Sequence, residues 1–308
     1  MKAVQIRQYG STDTLEMTET PAPAKPGEGQ VLIKVAASSV NPFDEFTVTG
    51  GLQAIIPLQL PVTVGGDFAG IVQDVGPGVS NVHIGDAVIG QAHPALGGTG
   101  TFAELVLAPA DQTTQAPSGV GLVEAAGLPL AGASALQALH TLEVGPESTI
   151  VVLGAGGAVG SIGVQAAKFL GATVIADAAG EDVEYVRSIG ADEVYDYADL
   201  SWVDRIRGVD GILDASSGVD PVVYYPMLKR SARFVSLRSR HDPRKAAEAG
   251  VDVISQSTYP GTTVLSEVAS LVDAGVIKQR IAAIFPATRA RAAFAAAGIA
   301  HGKCLVTF

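Results

Sequence analysis

Residues 151–178 run VVLGAGGAVGSIGVQAAKFLGATVIADA: an apolar run, a knot of glycines, an apolar stretch of helix length and a second apolar run. Val151, Val152 and Leu153 are apolar without alternation, which suits a parallel strand covered on both faces. Gly154, Gly156, Gly157 and Gly160 follow at once. Glycine permits a tight turn and lets backbone N–H groups approach a phosphate, and the positive end of the next helix faces the same point. The third position of a strict G-x-G-x-x-G is Val159 here, so the spacing is G-x-x-G-x-x-G through Gly154, Gly157 and Gly160. Ile162, Ala166, Ala167 and Leu170 give the helix a face to lay on a sheet. Asp177 falls near the end of the second strand, about 20 residues beyond the turn, where a carboxylate meets the ribose of a dinucleotide. The predicted fold class is therefore α/β, with a doubly wound parallel sheet. Its cofactor turn consists of Gly154, Gly157, Ala158, Val159 and Gly160.

The remainder divides by texture. Residues 1–118 carry short β-type runs at 31–35, 69–72 and 87–89 between Gly, Pro and Asp turns, which predicts an antiparallel, barrel-like domain. Helix and strand alternate afterwards: a helix over 181–189, strands at 193–195, 209–214 and 234–237, and an amphipathic helix over 263–274. Residues 303–308 predict a strand that returns to the first domain. At 308 residues the chain exceeds the roughly 250 at which one core usually suffices, so two domains are expected. The 20 Lys and Arg against 31 Asp and Glu leave a net charge of −11, which argues against nucleic-acid and anionic-membrane partners and for a small-molecule substrate. A single cysteine, Cys304, excludes an intramolecular disulfide and a cysteine-rich zinc lobe. No apolar run approaches the ~20 residues that span a bilayer, and the opening MKAVQIRQYG predicts a strand in place of a leader, so the expected compartment is the cytoplasm.

Several further motifs occur in order: Asn41-Pro42-Phe43-Asp44, GGDFAGIVQDVGPGVSNVHIGDAVIG over 65–90, Gly100-Thr101-Phe102-Ala103-Glu104, AAGLPLAGASALQAL, IGADEVYDY over 189–197, and Gly302-Lys303 before the closing strand. On these motifs, over nearly its whole length, the chain resembles the zinc-independent quinone oxidoreductases of the medium-chain dehydrogenase/reductase superfamily. The resemblance implies a GroES-like catalytic domain from residues 1–118 and 286–308, a Rossmann nucleotide-binding domain over 119–285, an active site in the cleft between them, and a homodimer. Zinc-dependent relatives use Cys for the first metal ligand and Gly-His-Glu for the second, where this chain has Asn41 and Gly65-Gly66-Asp67. Zinc catalysis needs three side-chain ligands, and these positions do not supply them, so no zinc is expected.

The chemistry implied is hydride transfer from a reduced nicotinamide to a quinone or an α,β-unsaturated carbonyl (enone). What the chain must then supply is position, water exclusion and hydrogen bonds to the developing oxygen charge. Asn41 is the first candidate, polarising a carbonyl or holding the nicotinamide ribose; the alternative is an Asn that caps the turn before Pro42. Phe46, Val48 and Leu52 stand where related enzymes carry tyrosine and arginine. A drier substrate pocket is implied, formed by Phe46, Leu52, His93 and Tyr259, to which the family's phenolic proton donor is not carried over, so that the proton comes from water or from His93. His93 is a candidate acid or, alternatively, an exposed loop histidine. For the cofactor, Asp177 would repel a 2′-phosphate and favour NAD(H), whereas alignment with NAD-dependent relatives moves the discriminating acid to Ala178. Of the family's phosphate-binding positions, the Lys is replaced by Val183, Tyr197 is retained, and Arg238 or Arg240 supplies charge, so NADP(H) is favoured over NAD(H). Ser134, Ser216, Leu237 and Lys303 complete the expected cofactor set, and Trp202, Tyr224 and Tyr225 are assigned to packing or an interface. An enoyl-thioester or biosynthetic double-bond reductase would use the same constellation. From another class, a non-catalytic NADPH-binding structural or sensor protein fits as well.

Overall fold

Val31, Ile33 and Val35 are buried while Lys34 among them is exposed, the period-two pattern of a strand with one covered face. The computed structural model, which describes residues 1–216, 219–237 and 241–308, places that strand at the centre of a β-rich unit. In chain order the strands are β1 (Lys2–Ile6), β2 (Glu16–Glu19), β3 (Gln30–Ser39), β4 (Val62–Thr63), β5 (Asp67–Val75), β6 (Ala87–Gln91), β7 (Leu105–Pro109) and β8 (Thr113–Gln115). Six follow in a second unit: β9 (Thr149–Leu153), β10 (Thr173–Ala178), β11 (Glu193–Asp196), β12 (Val209–Asp214), β13 (Leu228–Ser236) and β14 (Asp252–Ser255). β15 (Ile281–Pro286) and β16 (Lys303–Thr307) return to the first. The α-helices are α1 (Pro42–Val48), α2 (Leu122–Ala125), α3 (Pro129–Thr141), α4 (Ala158–Phe169), α5 (Val183–Ser188), α6 (Pro243–Ala249), α7 (Thr262–Asp273) and α8 (Ala290–Ala297).

The first unit comprises residues 1–133, 260–275 and 279–308. Its larger sheet runs β15-β16-β3-β5-β6-β8, with β7 also paired to β3, and a smaller sheet runs β2-β1-β4. Every pairing is antiparallel except β15 with β16. Phe68, Val72, Val88 and Val106 join the inward residues of β3 in one core cluster. Val4, Ile6, Val48, Phe102, Phe294 and Val306 form another. By packing, residues 119–133 and α7 group with the β-rich unit. The reason is local packing. Thr114 and Ser266 share a hydrogen bond of 2.8 Å, the Gly119 N–H donates to Asp273 at 2.7 Å, and Gly132 leaves room for Val268.

The second unit, residues 134–259 and 276–278, contains six parallel strands in the order β11-β10-β9-β12-β13-β14. From β9 the chain steps to β10 and β11 on one side, then crosses to β12 on the other. A crevice opens at such a reversal, beyond the carboxyl ends of the two central strands, and open α/β sheets bind ligands there. Trp202, Tyr224 and Tyr225 are core residues, with Trp202 stacked on Tyr195 at 4.9 Å between ring centres. The helix expected over 181–189 is shorter, a 3₁₀ turn at Gly180–Asp182 followed by α5.

Candidate active site

In the β-rich unit, five elements deliver polar side chains to one buried point: β3, α1, β5, β6 and β16. Asn41 is the N-cap of α1, and Asp44, three residues on, turns back to accept the Asn41 backbone N–H at 2.8 Å. This is one half of a capping box, with Pro42 preset for the first helical position, while the Asn41 side chain itself is spent on Asp67 and Lys303. Asp67 opens β5 and is fully buried. Its Oδ1 accepts from Gln91 Nε2 at 2.9 Å and from the Leu130 N–H in the first turn of α3 at 3.1 Å, and its Oδ2 accepts from Ser39 Oγ and Asn41 Nδ2, each at 2.8 Å. Lys303 enters from β16, buried, with Nζ 3.6 Å from Asp67 Oδ2, 3.1 Å from Ser39 Oγ and hydrogen-bonded to Asn41 Oδ1. Gly302 makes that entry possible: its φ of +124° lies where side chains are strained, and a Cβ would press on the Arg280 carbonyl. A buried carboxylate is tolerable only when paired and hydrogen-bonded, and Asp67 meets both conditions.

Asp44 is different. Its Oδ1 is buried and has no hydrogen-bond partner. Burial, reinforced by the charge of Asp67, pushes the carboxyl up to about 7, against the pull of the Asn41 N–H and of Lys303. Beside it, Gly66 contributes no side chain; a Cβ there would lie 3.4 Å from Gln91 Nε2, 3.5 Å from Asp44 Oδ1 and 3.6 Å from His93 Cδ2.

His93 is buried, where the sequence reading weighed an acid against an exposed loop residue. Its Nδ1 accepts the Ala95 N–H at 3.1 Å, and its Nε2 lies 3.0 Å from Thr47 Oγ1, whose own hydrogen goes to the Phe43 carbonyl. Those partners require the neutral ring with the proton on Nε2, and burial lowers its pKa to about 4. The ring stacks obliquely on Phe43 at 4.6 Å. Leu52 is buried and Phe46 half exposed, its ring over Gly51.

In the second unit the glycine turn follows β9 as the sequence requires. Gly154 has φ +74°, and a Cβ would approach the Ser216 N–H to 3.0 Å. Gly157 is the N-cap of α4, and at Gly160 a Cβ would strike the Gly154 carbonyl, so turn and helix touch backbone to backbone. Ala158 and Val159 start the helix. Ser216 lies beyond β12 and donates its hydroxyl to Asp214 at 2.7 Å; the Leu237 N–H, beyond β13, donates to the Asp214 carbonyl at 3.0 Å. Ala178, at the end of β10, is buried, and Tyr197, just past β11, is half exposed. Arg238 and Arg240 lie outside the described residues.

Asp177, expected at the ribose, faces inward. Asp177 is 1% exposed, and its Oδ1 accepts the Gly154 N–H at 2.6 Å. It braces the turn from within. Burial pushes its carboxyl up to about 7, with the Asp214 charge adding to the rise and the Gly154 N–H opposing it. The Tyr224 phenol, raised by burial and then by Asp177 and Asp214, faces the same carboxyl. Ser134 hydrogen-bonds Thr258 at 2.8 Å, and the half-exposed Tyr259 is held to Gln137 through its backbone.

Asp44 stood inside a recognised motif without a role, and the N-x-x-D spacing of a capping box was its only signal. Gln91 and Ser39 carried none, because their strands meet Asp67 only through sheet pairing.

Residues 27–118 match the alcohol dehydrogenase GroES-like domain family, and residues 158–237 match the zinc-binding dehydrogenase family. The chain is 31% identical to a chloroplast envelope quinone oxidoreductase homolog of Arabidopsis thaliana, over 99% of this chain and 98% of that one. It is 34% identical to an NADPH-dependent alkenal/one oxidoreductase of the same plant, over 79% of this chain and 64% of that one. Among solved structures, the Escherichia coli quinone oxidoreductase complexed with NADPH superposes with a TM-score of 0.87 at 25% identity, covering all of both chains. With a β-rich domain built from both chain ends, a glycine turn at a sheet reversal and a relative matched from end to end, the chain belongs to the quinone oxidoreductase family of the medium-chain dehydrogenase/reductases, and it is an oxidoreductase.

Proposed function

We propose that the protein is an NADPH-dependent, zinc-free reductase of quinones or enones. The observation that carries the reading is the backbone cradle at the β9/β12 reversal. Gly154, Gly157 and Gly160 there let the turn, the helix and the end of β12 close backbone to backbone, and α4 begins at that turn with its N-terminal N–H groups available to a pyrophosphate. NADPH, when bound, supplies the hydride. Gly154, Gly157, Ala158, Val159 and Gly160 hold the pyrophosphate, and Tyr197, Ser216, Leu237 and Ser134 line the positions expected for the rest of the cofactor. No carboxylate from β10 meets the adenosine ribose, since Asp177 is committed to Gly154, which leaves a 2′-phosphate unopposed from that strand. The Arabidopsis and Escherichia coli relatives, whose names include NADPH, support the same choice.

The donor set of the β-rich unit does not suit zinc. Asn41 and Gly66 offer no thiolate or imidazole, and the cation already paired with Asp67 is the Lys303 ammonium. Asn41, with Oδ1 tied to Lys303 and Nδ2 to Asp67, is a positioning residue of this network, and Lys303 neutralises it.

The test follows NADPH and NADH oxidation at the nicotinamide absorbance with 1,4-benzoquinone, 9,10-phenanthrenequinone and a panel of enones. Faster turnover with NADPH is the expected result. Tight NADPH binding with no consumption on any acceptor would overturn the reading in favour of a binding protein. A homodimer is expected, and light scattering checks it.

A further inference from the structure

Resting on the NADPH reading, we propose that Asp177 is a positioning residue of the cofactor turn, and that the cofactor, on binding there, draws a proton onto it. The turn is strapped down from beneath. Asp177 holds two successive N–H groups of it: Gly154 donates to the carboxyl at 2.6 Å and Ala155 to the Asp177 carbonyl at 2.9 Å. Both neighbours of β9 take part, because Asp177 stands near the end of β10 on one side and Asp214 ends β12 on the other. A Cβ at Gly154 would press on the Ser216 N–H, and that N–H donates to Asp214 at 3.0 Å. Asp182, from the 3₁₀ turn after β10, stands against Gly156, where a Cβ would strike its carboxyl. With Gly154 and Gly156 so held, the turn hands the chain to α4 in one position, and the N–H groups of the first turn of α4 are left for the pyrophosphate.

Buried carboxyls therefore underlie a turn that receives an anion: Asp177, Asp182 and Asp214 are 1%, 3% and 1% exposed. Like charges shut away from water resist being ionised together. Of the pair flanking β9, Asp214 collects three donors: the Ser216 N–H, the Ser216 hydroxyl at 2.7 Å and the Ser236 hydroxyl at 2.9 Å. Asp177 takes one backbone N–H, so it is the member of that pair that accepts a proton. The groups around it act in the same sense. Asp214 of β12 and Asp196 of β11 repel its charge, and the Tyr224 phenol that faces it is kept protonated by burial. His241, which feels Asp214, is lowered by burial and is neutral.

Burial holds the Asp177 carboxyl up to about 7, so above neutral pH it is largely ionised in the free protein. A pyrophosphate on the turn adds negative charge beside it and favours the neutral acid. The step is one proton: an O–H bond forms on the Asp177 carboxylate, and the proton comes from the buffer. Cofactor affinity then falls as pH rises above about 7, because binding must supply that proton from an ever scarcer pool.

Calorimetric titration with NADPH, in two buffers of different ionisation enthalpy, counts the proton directly. At pH 8 the wild type is expected to take up about half a proton, and its Kd to rise between pH 7 and 8.5 by at most about tenfold per pH unit, the limit for one proton. The 2′-phosphate titrates near pH ~6, below this range. Asp177→Asn keeps an acceptor for the Gly154 N–H and has no proton to gain, so its Kd stays level over the same range and the uptake is gone. Asp177→Leu removes the acceptor and weakens NADPH binding at every pH, and Asp177→Asn restores what the leucine loses. An aspartate that only supported the fold would give the wild type and Asp177→Asn the same pH slope. That equality, or a wild type that binds NADPH at pH 8 without a proton, overturns the proposal. NADPH bound with its proton but consumed on no acceptor upholds the role of Asp177 and sinks the reductase reading alone. No binding of NADPH or NADH at pH 6.5, where Asp177 is mostly protonated, overturns both.

Discussion

At the scale of the residue, the site is a balance between buried charges and their partners. Lys303 and Asp67 have side chains 5% and 0% exposed, so each depends on the other to be charged there. Lys303→Met should cost about 3–5 kcal/mol, because it leaves a buried carboxylate uncompensated, and urea unfolding measures it. The titrating groups pull stability in opposite directions with pH. Asp177 is raised from 3.8 to about 7, so its contribution is fully present below pH 3.8 and is lost as pH rises through about 7. Asp177→Asn keeps an acceptor for the Gly154 N–H and should flatten that decline in melting temperature between pH 4 and 7. His93 is lowered from 6.5 to about 4, so its contribution is present above pH 6.5 and is lost as pH falls through about 4. His93→Phe should therefore lose less stability than the wild type between pH 6.5 and 4 in the same measurement.

At the scale of the element, backbone contacts decide more than side chains do. Where α4 meets the turn after β9, Gly160 lies against the Gly154 carbonyl and Ala155 Cα with no room for a methyl group. Gly160→Ala should push the first turn of α4 off the strand end and weaken NADPH binding at least tenfold, roughly 1.4 kcal/mol, with the far-ultraviolet circular dichroism unchanged; fluorescence titration reads it. The element was legible in advance because an unalternating apolar run, a glycine knot and an amphipathic stretch are local signals. β13 was legible only in its second half: Phe234, Val235 and Ser236 are buried in the sheet, whereas Lys229, Arg230 and Ser231 at its start are exposed and give no apolar pattern. The capping box at Asn41 and Asp44 was written in the spacing, but its free oxygen was not.

At the scale of the whole molecule, the chain packs as two units, and residues 119–133 group with the β-rich one. Residues 260–275 read as a continuation of the alternating half, yet α7 belongs with the β-rich unit through Thr114, Gly119 and Gly132. NADPH at a hundredfold its Kd should stabilise the folded chain by about 2.7 kcal/mol, and calorimetry with and without it checks the rise in melting temperature. No rise at saturating NADPH would count against a cofactor-binding fold.

The sequence by itself determined the βαβ turn and the order of the family motifs, because a glycine requirement and an apolar run act over a few neighbouring residues. Only the tertiary structure decided the buried network of Asp44, Asp67 and Lys303, and the inward turn of Asp177. Ser39 and Lys303 meet across 264 positions because β16 pairs with β3. A carboxyl's charge is read from its letter, but whether it keeps its proton depends on the water excluded around it, and that exclusion exists only once distant strands have closed over the site.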